Sequence, residues 1–230
     1  MIVVVEGIDG AGKSTVLRYV MDNLSQRQIS AALVDKHDVA MSTEIDKRRV
    51  ERVRELIWGI DTPQGIQDRQ REAYFKYLII AAWYRLLADY ISERMRRSPG
   101  DVILLDGWYF RHIVKTHLRT GMTVDALYAI VAPVVGTIDI GLKIFLDTAP
   151  EAAATRKDYS DHEVGYLDGF EGYSRRNAFV CYQSRIRQCF LKEFSDFTVI
   201  REAEKRTAAE NAEWMVDHIL RKGSLGREQV

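Results

Sequence analysis

Residues Gly7, Ile8, Asp9, Gly10, Ala11, Gly12, Lys13 and Ser14 satisfy the spacing GxxxxGK[ST]. Glycines at that spacing let successive backbone N–H groups face a phosphate, and a helix starting at the lysine presents its positive end to the same anion. Lys13 would then reach the β and γ phosphates of a nucleoside triphosphate, and the Ser14 hydroxyl would face Mg²⁺. Gly7, Gly10, Ala11, Gly12, Lys13, Ser14 and Thr15 are therefore the candidate residues for ATP. Asp106 closes the apolar run VILLD. It stands either as the acidic partner of the metal or as the N-cap of the helix that follows.

Elements must hold these residues in place. Ile2 to Glu6 is a short β-branched run, and from Ser14 to Leu24 apolar residues recur at helical spacing, so the loop sits between a strand and a helix. Further short apolar runs fall at Ala31 to Val34, Val102 to Leu105, Leu142 to Leu146 and Phe197 to Ile200. Helical patterns lie between them, at Ile45 to Trp58, Gln67 to Arg97, Trp108 to Arg119, Val124 to Val135, Pro150 to Lys157, Tyr173 to Phe194 and Ala208 to Arg221. Thr148 to Glu151 and Thr207 to Glu210 have capping-box spacing, and Gly223 is placed to stop the last helix. Apolar strands alternating with helices imply an α/β fold, a parallel sheet covered on both faces. Ligands of such sheets bind outside the carboxyl ends of the strands, which puts Gly7, Asp35, Asp106 and Asp147 on the functional edge.

Lys plus Arg and Asp plus Glu both number 33, so no whole-molecule basic field draws in nucleic acid or an anionic membrane. The N-terminal apolar run is broken at Glu6 and Gly7, too short for a signal peptide or a span, and the expectation is a cytoplasmic protein. Cys181 and Cys189 lie eight apart in a helical pattern. At about 1.5 Å per residue that separates them by roughly 12 Å, beyond disulfide reach. The five histidines show no metal-ligand spacing.

The run VVVEGIDGAGKST resembles the N-terminus of the thymidylate kinases, where the glutamate and the IDG triplet are more specific than the bare loop. LLDGWY takes the place of that family's DR[YH] motif, IFLDTAPEAAATRK resembles its strand leading into the lid, and VIREAEKRTAAENAEWMVDHI resembles its closing strand and helix. The resemblance implies a P-loop three-layer sandwich on a five-stranded parallel sheet, with ATP and Mg²⁺, a nucleoside monophosphate acceptor, an arginine-bearing mobile lid and a homodimer. It also implies that Asp9 contacts the acceptor's sugar hydroxyl and that Arg85 touches its phosphate and base. Two departures stand out. Gly107 occupies the position of the arginine that follows the strand-end aspartate, leaving Arg111 as the nearest substitute, with Tyr109 in the same stretch. The family's REPG stretch is missing, leaving Lys36 and His37 nearby.

Phosphoryl transfer needs a cation close to the transferring group. Ala11 supplies none from the loop, so the lid, about residues 155–176 in a domain of 1–222 with a tail at 223–230, must supply it. Arg156 is the first choice, with Lys157, Arg175 and Arg176 flanking a segment that has Gly165, Gly169 and Gly172 as hinges. Tyr74, Phe75, Tyr77, Trp83 and Tyr84 either stack an acceptor base or belong to the core. The residues thus point to a nucleoside monophosphate kinase. A kinase of a nucleoside-like metabolite would keep the donor site and change the acceptor pocket, and a P-loop nucleotide switch would need no acceptor.

Overall fold

The computed structural model describes residues 1–34, 44–59, 69–136, 138–159, 163–164 and 172–225. Within them β1 (Ile2–Glu6), β2 (Ala31–Val34), β3 (Val102–Asp106), β4 (Ile140–Leu146) and β5 (Thr198–Ile200) form one parallel sheet in the order β2-β3-β1-β4-β5. Central β1 is flanked on both sides, and Val3, Val4 and Val5 have no exposed surface. Burying each such valine stabilises the fold by about 1.5–3 kcal/mol, which fixes the strand whose end carries the glycine loop.

Helices cover the sheet: α1 (Lys13–Gln26), α2 (Glu44–Arg54) running into a π-turn at Glu55–Gly59, α3 (Arg69–Arg97), α4 (Phe110–Thr120), α5 (Val124–Val135), α6 (Pro150–Ala154), α7 (Arg175–Glu193) and α8 (Ala208–Leu225). The fold is therefore an α/β sandwich on a five-stranded parallel sheet, as the resemblance implies. α4 buries Phe110, Ile113 and Val114 on one face, so Arg111 and Lys115, one turn apart, share another. Phe110 packs edge-on against Phe194 and Phe197 at 5.3 and 5.1 Å between ring centroids, which anchors the first turn of α4 against α7 and β5.

Several boundaries differ from the sequence reading. α6 ends at Ala154, and Thr148 does not cap it: the N-cap is Ala149, while the Thr148 hydroxyl donates to the Ala11 carbonyl at 3.2 Å. The second capping box forms as expected, with Glu210 N–H donating to Thr207 Oγ1 at 3.2 Å and Thr207 N–H to Glu210 Oε2 at 2.7 Å. α8 runs past Gly223 to Leu225, because a glycine stops a helix only where the chain turns left-handed. Cys181 and Cys189 are free thiols. Among the described residues no helix is long and apolar enough to cross a membrane.

Candidate active site

The glycine loop joins β1 to α1 at the carboxyl edge of the sheet. α1 starts straight after Gly12, with no side-chain cap and no acidic residue in its first turn. Its first N–H groups and the positive end of its dipole are thus left for an anion. Gly10 has φ +77, and a Cβ there would lie 2.9 Å from the Ala153 carbonyl oxygen, so only glycine lets the loop pack against α6.

Lys13 folds back over this loop, its Nζ donating to the carbonyls of Gly7 and Ile8 at 3.1 Å each. Burial, and after it the nearby Arg111 charge, push its pKa down to about 8, against the opposite pull of Asp106, Asp9 and Glu6. Ser14 Oγ donates to Asp106 Oδ2 at 2.5 Å, which brings a hydroxyl from α1 and a carboxylate from β3 together beside the loop. These two oxygen donors fit Mg²⁺, which prefers hard oxygen ligands and takes few of them from protein when phosphates supply the rest.

Asp9 is the centre of a second cluster. Its Oδ1 accepts from Arg111 Nη1 at 2.5 Å, and its Oδ2 from Lys115 Nζ at 3.1 Å and Gln183 Nε2 at 3.2 Å. Asp9 N–H in turn donates to Gln183 Oε1 at 3.1 Å. Burial alone would raise the Asp9 pKa, but Arg111, Lys115 and Lys13 together hold it well below the ordinary carboxylate value. Gln183 is fully buried and also donates to the Glu163 carbonyl at 3.0 Å, while Glu163 pairs with Lys157 at 2.6 Å. One amide thus connects α7, the loop and residues of the expected lid.

Glu6 has no exposed surface, its Oε1 accepting the Trp108 N–H at 2.8 Å and its Oε2 without a hydrogen-bond partner among the described residues. The adjacent Gly107 has φ +85, a conformation that suits glycine, and the space where its side chain would start opens toward Glu6 Oε2, 3.7 Å away. Arg156 Nη1 reaches the Gly10 carbonyl at 3.4 Å. Arg175 instead donates to the Tyr159 carbonyl at 2.5 Å, across the base of the lid segment. Asp147, at the end of β4, is held bidentately by Arg187 at 2.5 and 3.0 Å, so that strand-end acid ties the sheet to α7.

The structure therefore brings together Asp9, Lys13, Ser14, Asp106, Arg111 and Arg156 from the sequence candidates. Two others lie apart from this cluster. Arg85 pairs with Asp89 at 2.5 Å and lies against Gly136 beyond the end of α5, away from the loop. One residue earlier, about 100° around the helix, Tyr84 faces Trp108, Tyr109 and His112. Tyr109 is 6% exposed and packs against Phe110 and Tyr128 in the aromatic core instead of lining the loop. Tyr77, Trp83 and Tyr84 are core as well, whereas Phe75 is exposed. Lys36, His37, Gly165 and Gly169 lie outside the described residues.

Lys115 and Gln183 were not among the sequence candidates. The four-residue step from Arg111 was a legible signal for the first, and nothing local marks the second. No family model matches the chain. A probable thymidylate kinase of Archaeoglobus fulgidus is 25% identical over 205 residues, covering 89% of this chain and 88% of its own length. The thymidylate kinase of Bacillus licheniformis is 25% identical over 167 residues, 71% of either chain. Over most of its length the chain is thus similar to these two thymidylate kinases, and it carries a P-loop at the edge of a parallel five-stranded sheet.

Proposed function

We propose that the chain is a cytosolic, ATP-dependent nucleoside monophosphate kinase resembling thymidylate kinase, passing the γ-phosphoryl group to dTMP or a related nucleotide. The observation that carries this reading is the Ser14–Asp106 contact beside the loop that Lys13 closes, a donor site with its hydroxyl, carboxylate and ammonium already together. In this reading Lys13 leaves the loop carbonyls for the β and γ phosphates. Ser14 and Asp106 would hold Mg²⁺, which when bound neutralises phosphate charge. Arg156, reaching the loop from the far side, would approach the transferring group as charge builds on it. An oxygen of the acceptor attacks the γ-phosphorus as the bond to the β-γ bridging oxygen breaks. Residues 1–222 would form one kinase domain, with the lid at about 155–176.

Gly107, where the thymidylate kinase pattern has an arginine, favours a second reading, an acceptor without a phosphate. The homodimer is proposed through α3, where Phe75 and Leu78 are 53% and 58% exposed.

Release of ADP from Mg·ATP with a panel of nucleoside monophosphates and the matching nucleosides separates the readings. Stimulation by one monophosphate is the expected result. Stimulation by nucleosides alone would transfer support to the second reading, and turnover indifferent to every acceptor would remove both.

A further inference from the structure

The acceptor end of the site carries more positive charge than its own acids neutralise. Arg111 and Lys115 both converge on the single carboxylate of Asp9, with side-chain exposures of 22% and 18%. Asp106 lies with Ser14 on the donor side, and burial pushes the pKa of Glu6 up to about 7, which removes about half of its negative charge at neutral pH. Two half-buried cations sharing one anion are costly unless a further anion arrives.

We propose that Arg111 and Lys115 together form the binding site for the acceptor's phosphate, displaced along α4 from the strand end where Gly107 leaves no side chain. The acceptor is then a monophosphate, and this inference rests on the kinase reading above. Each cation gives Asp9 only one of its N–H donors, so donors remain for phosphate oxygens. The pair is preorganised: Asp9 is itself fixed by Gln183 at both its backbone N–H and its carboxylate, and the buried face of α4 fixes the two stems. Preorganisation lowers the ordering cost that binding must meet. Three donors occupy the Asp9 carboxylate, which leaves it room to accept one more, such as a sugar hydroxyl of the same ligand. The first departure from the thymidylate kinase pattern then has a counterpart, the strand-end arginine being replaced by a pair one and two turns along the helix.

Calorimetric titration of the full chain without ATP tests this, using dTMP, the other common nucleoside monophosphates and the matching nucleosides as probes. Lys115→Gln should weaken binding of the preferred monophosphate about tenfold or more while leaving its nucleoside and Mg·ATP within about twofold, and Lys115→Arg should restore most of the loss. If Lys115→Gln binds the monophosphate as tightly as the parent chain, or loses monophosphate and nucleoside equally, the inference is overturned while the kinase reading stands. If the parent chain binds Mg·ATP but no monophosphate, the kinase reading fails and takes the inference with it.

Discussion

Glu6 shows how much a single buried carboxyl sets the chemistry around it. Burial raises its pKa to about 7, and Arg111, the Trp108 N–H and Lys13 offset this only in part. In the folded chain the group stays largely protonated up to pH about 7, against an ordinary glutamate value of 4.5. It therefore favours the folded state below that lower value, and the contribution is lost as pH rises from about 4.5 to about 7. The ceiling is on the order of 3 kcal/mol. Glu6→Gln keeps a neutral group that still accepts the Trp108 N–H. Its stability relative to the parent chain should accordingly improve between pH 5 and about 7.5 in urea unfolding at a series of pH values. A difference that stays constant with pH would show that Glu6 is already charged in the fold. The same scale explains which side chains were hard to read. Arg85 and Tyr84 differ by one position in sequence but by about 100° around α3, and only packing decides which of them faces Trp108. Gln183 is an ordinary polar residue in a helical pattern, and its role comes from partners 174 and 20 positions away in sequence.

At the scale of elements, the loop and α6 form a unit. Gly10 sits against the Ala153 carbonyl, Thr148 donates to Ala11, and Arg156 reaches back to Gly10 from just beyond the helix. A methyl group at position 10 meets both an unfavourable φ and a backbone atom at 2.9 Å. Gly10→Ala should destabilise the protein by about 1–3 kcal/mol and weaken ATP binding severalfold, as read by thermal unfolding and by nucleotide titration. An unchanged melting temperature together with unchanged ATP affinity would mean that the loop and α6 are not coupled in this way. The strands were legible because buried parallel strands demand unbroken β-branched or aliphatic runs, and β1 and β2 match their runs residue for residue. Thr148 was misread because capping spacing is a local signal, whereas its hydroxyl is drawn to a carbonyl 137 residues away in sequence.

The whole molecule joins the glycine loop at the end of β1, the proposed donor site, to the Asp9 cluster on α4, the proposed acceptor site. On α3 the aromatic face toward the core is buried, while Phe75 and Leu78, one turn apart, remain exposed. Exposed apolar residues at that spacing suit a partner helix. Replacing both with aspartate should turn a dimeric species into a monomeric one in analytical ultracentrifugation, with the melting temperature of the monomer little changed. A parent chain that sediments as a monomer at all concentrations would remove the dimer from the proposal. The proposed donor half was readable because its motif is contiguous, residues 7 to 15 running from the loop into the first turn of α1. The proposed acceptor half draws on Asp9, Arg111, Lys115 and Gln183, and only the folded chain brings these together.

Transfer of label from γ-labelled ATP to a nucleoside monophosphate is the direct test of phosphoryl transfer by this site, with Lys13→Ala alongside. Labelled nucleoside diphosphate should form with the parent chain, and at least about a thousandfold more slowly with the variant. Label released only as inorganic phosphate, or transfer undiminished in Lys13→Ala, would contradict the account.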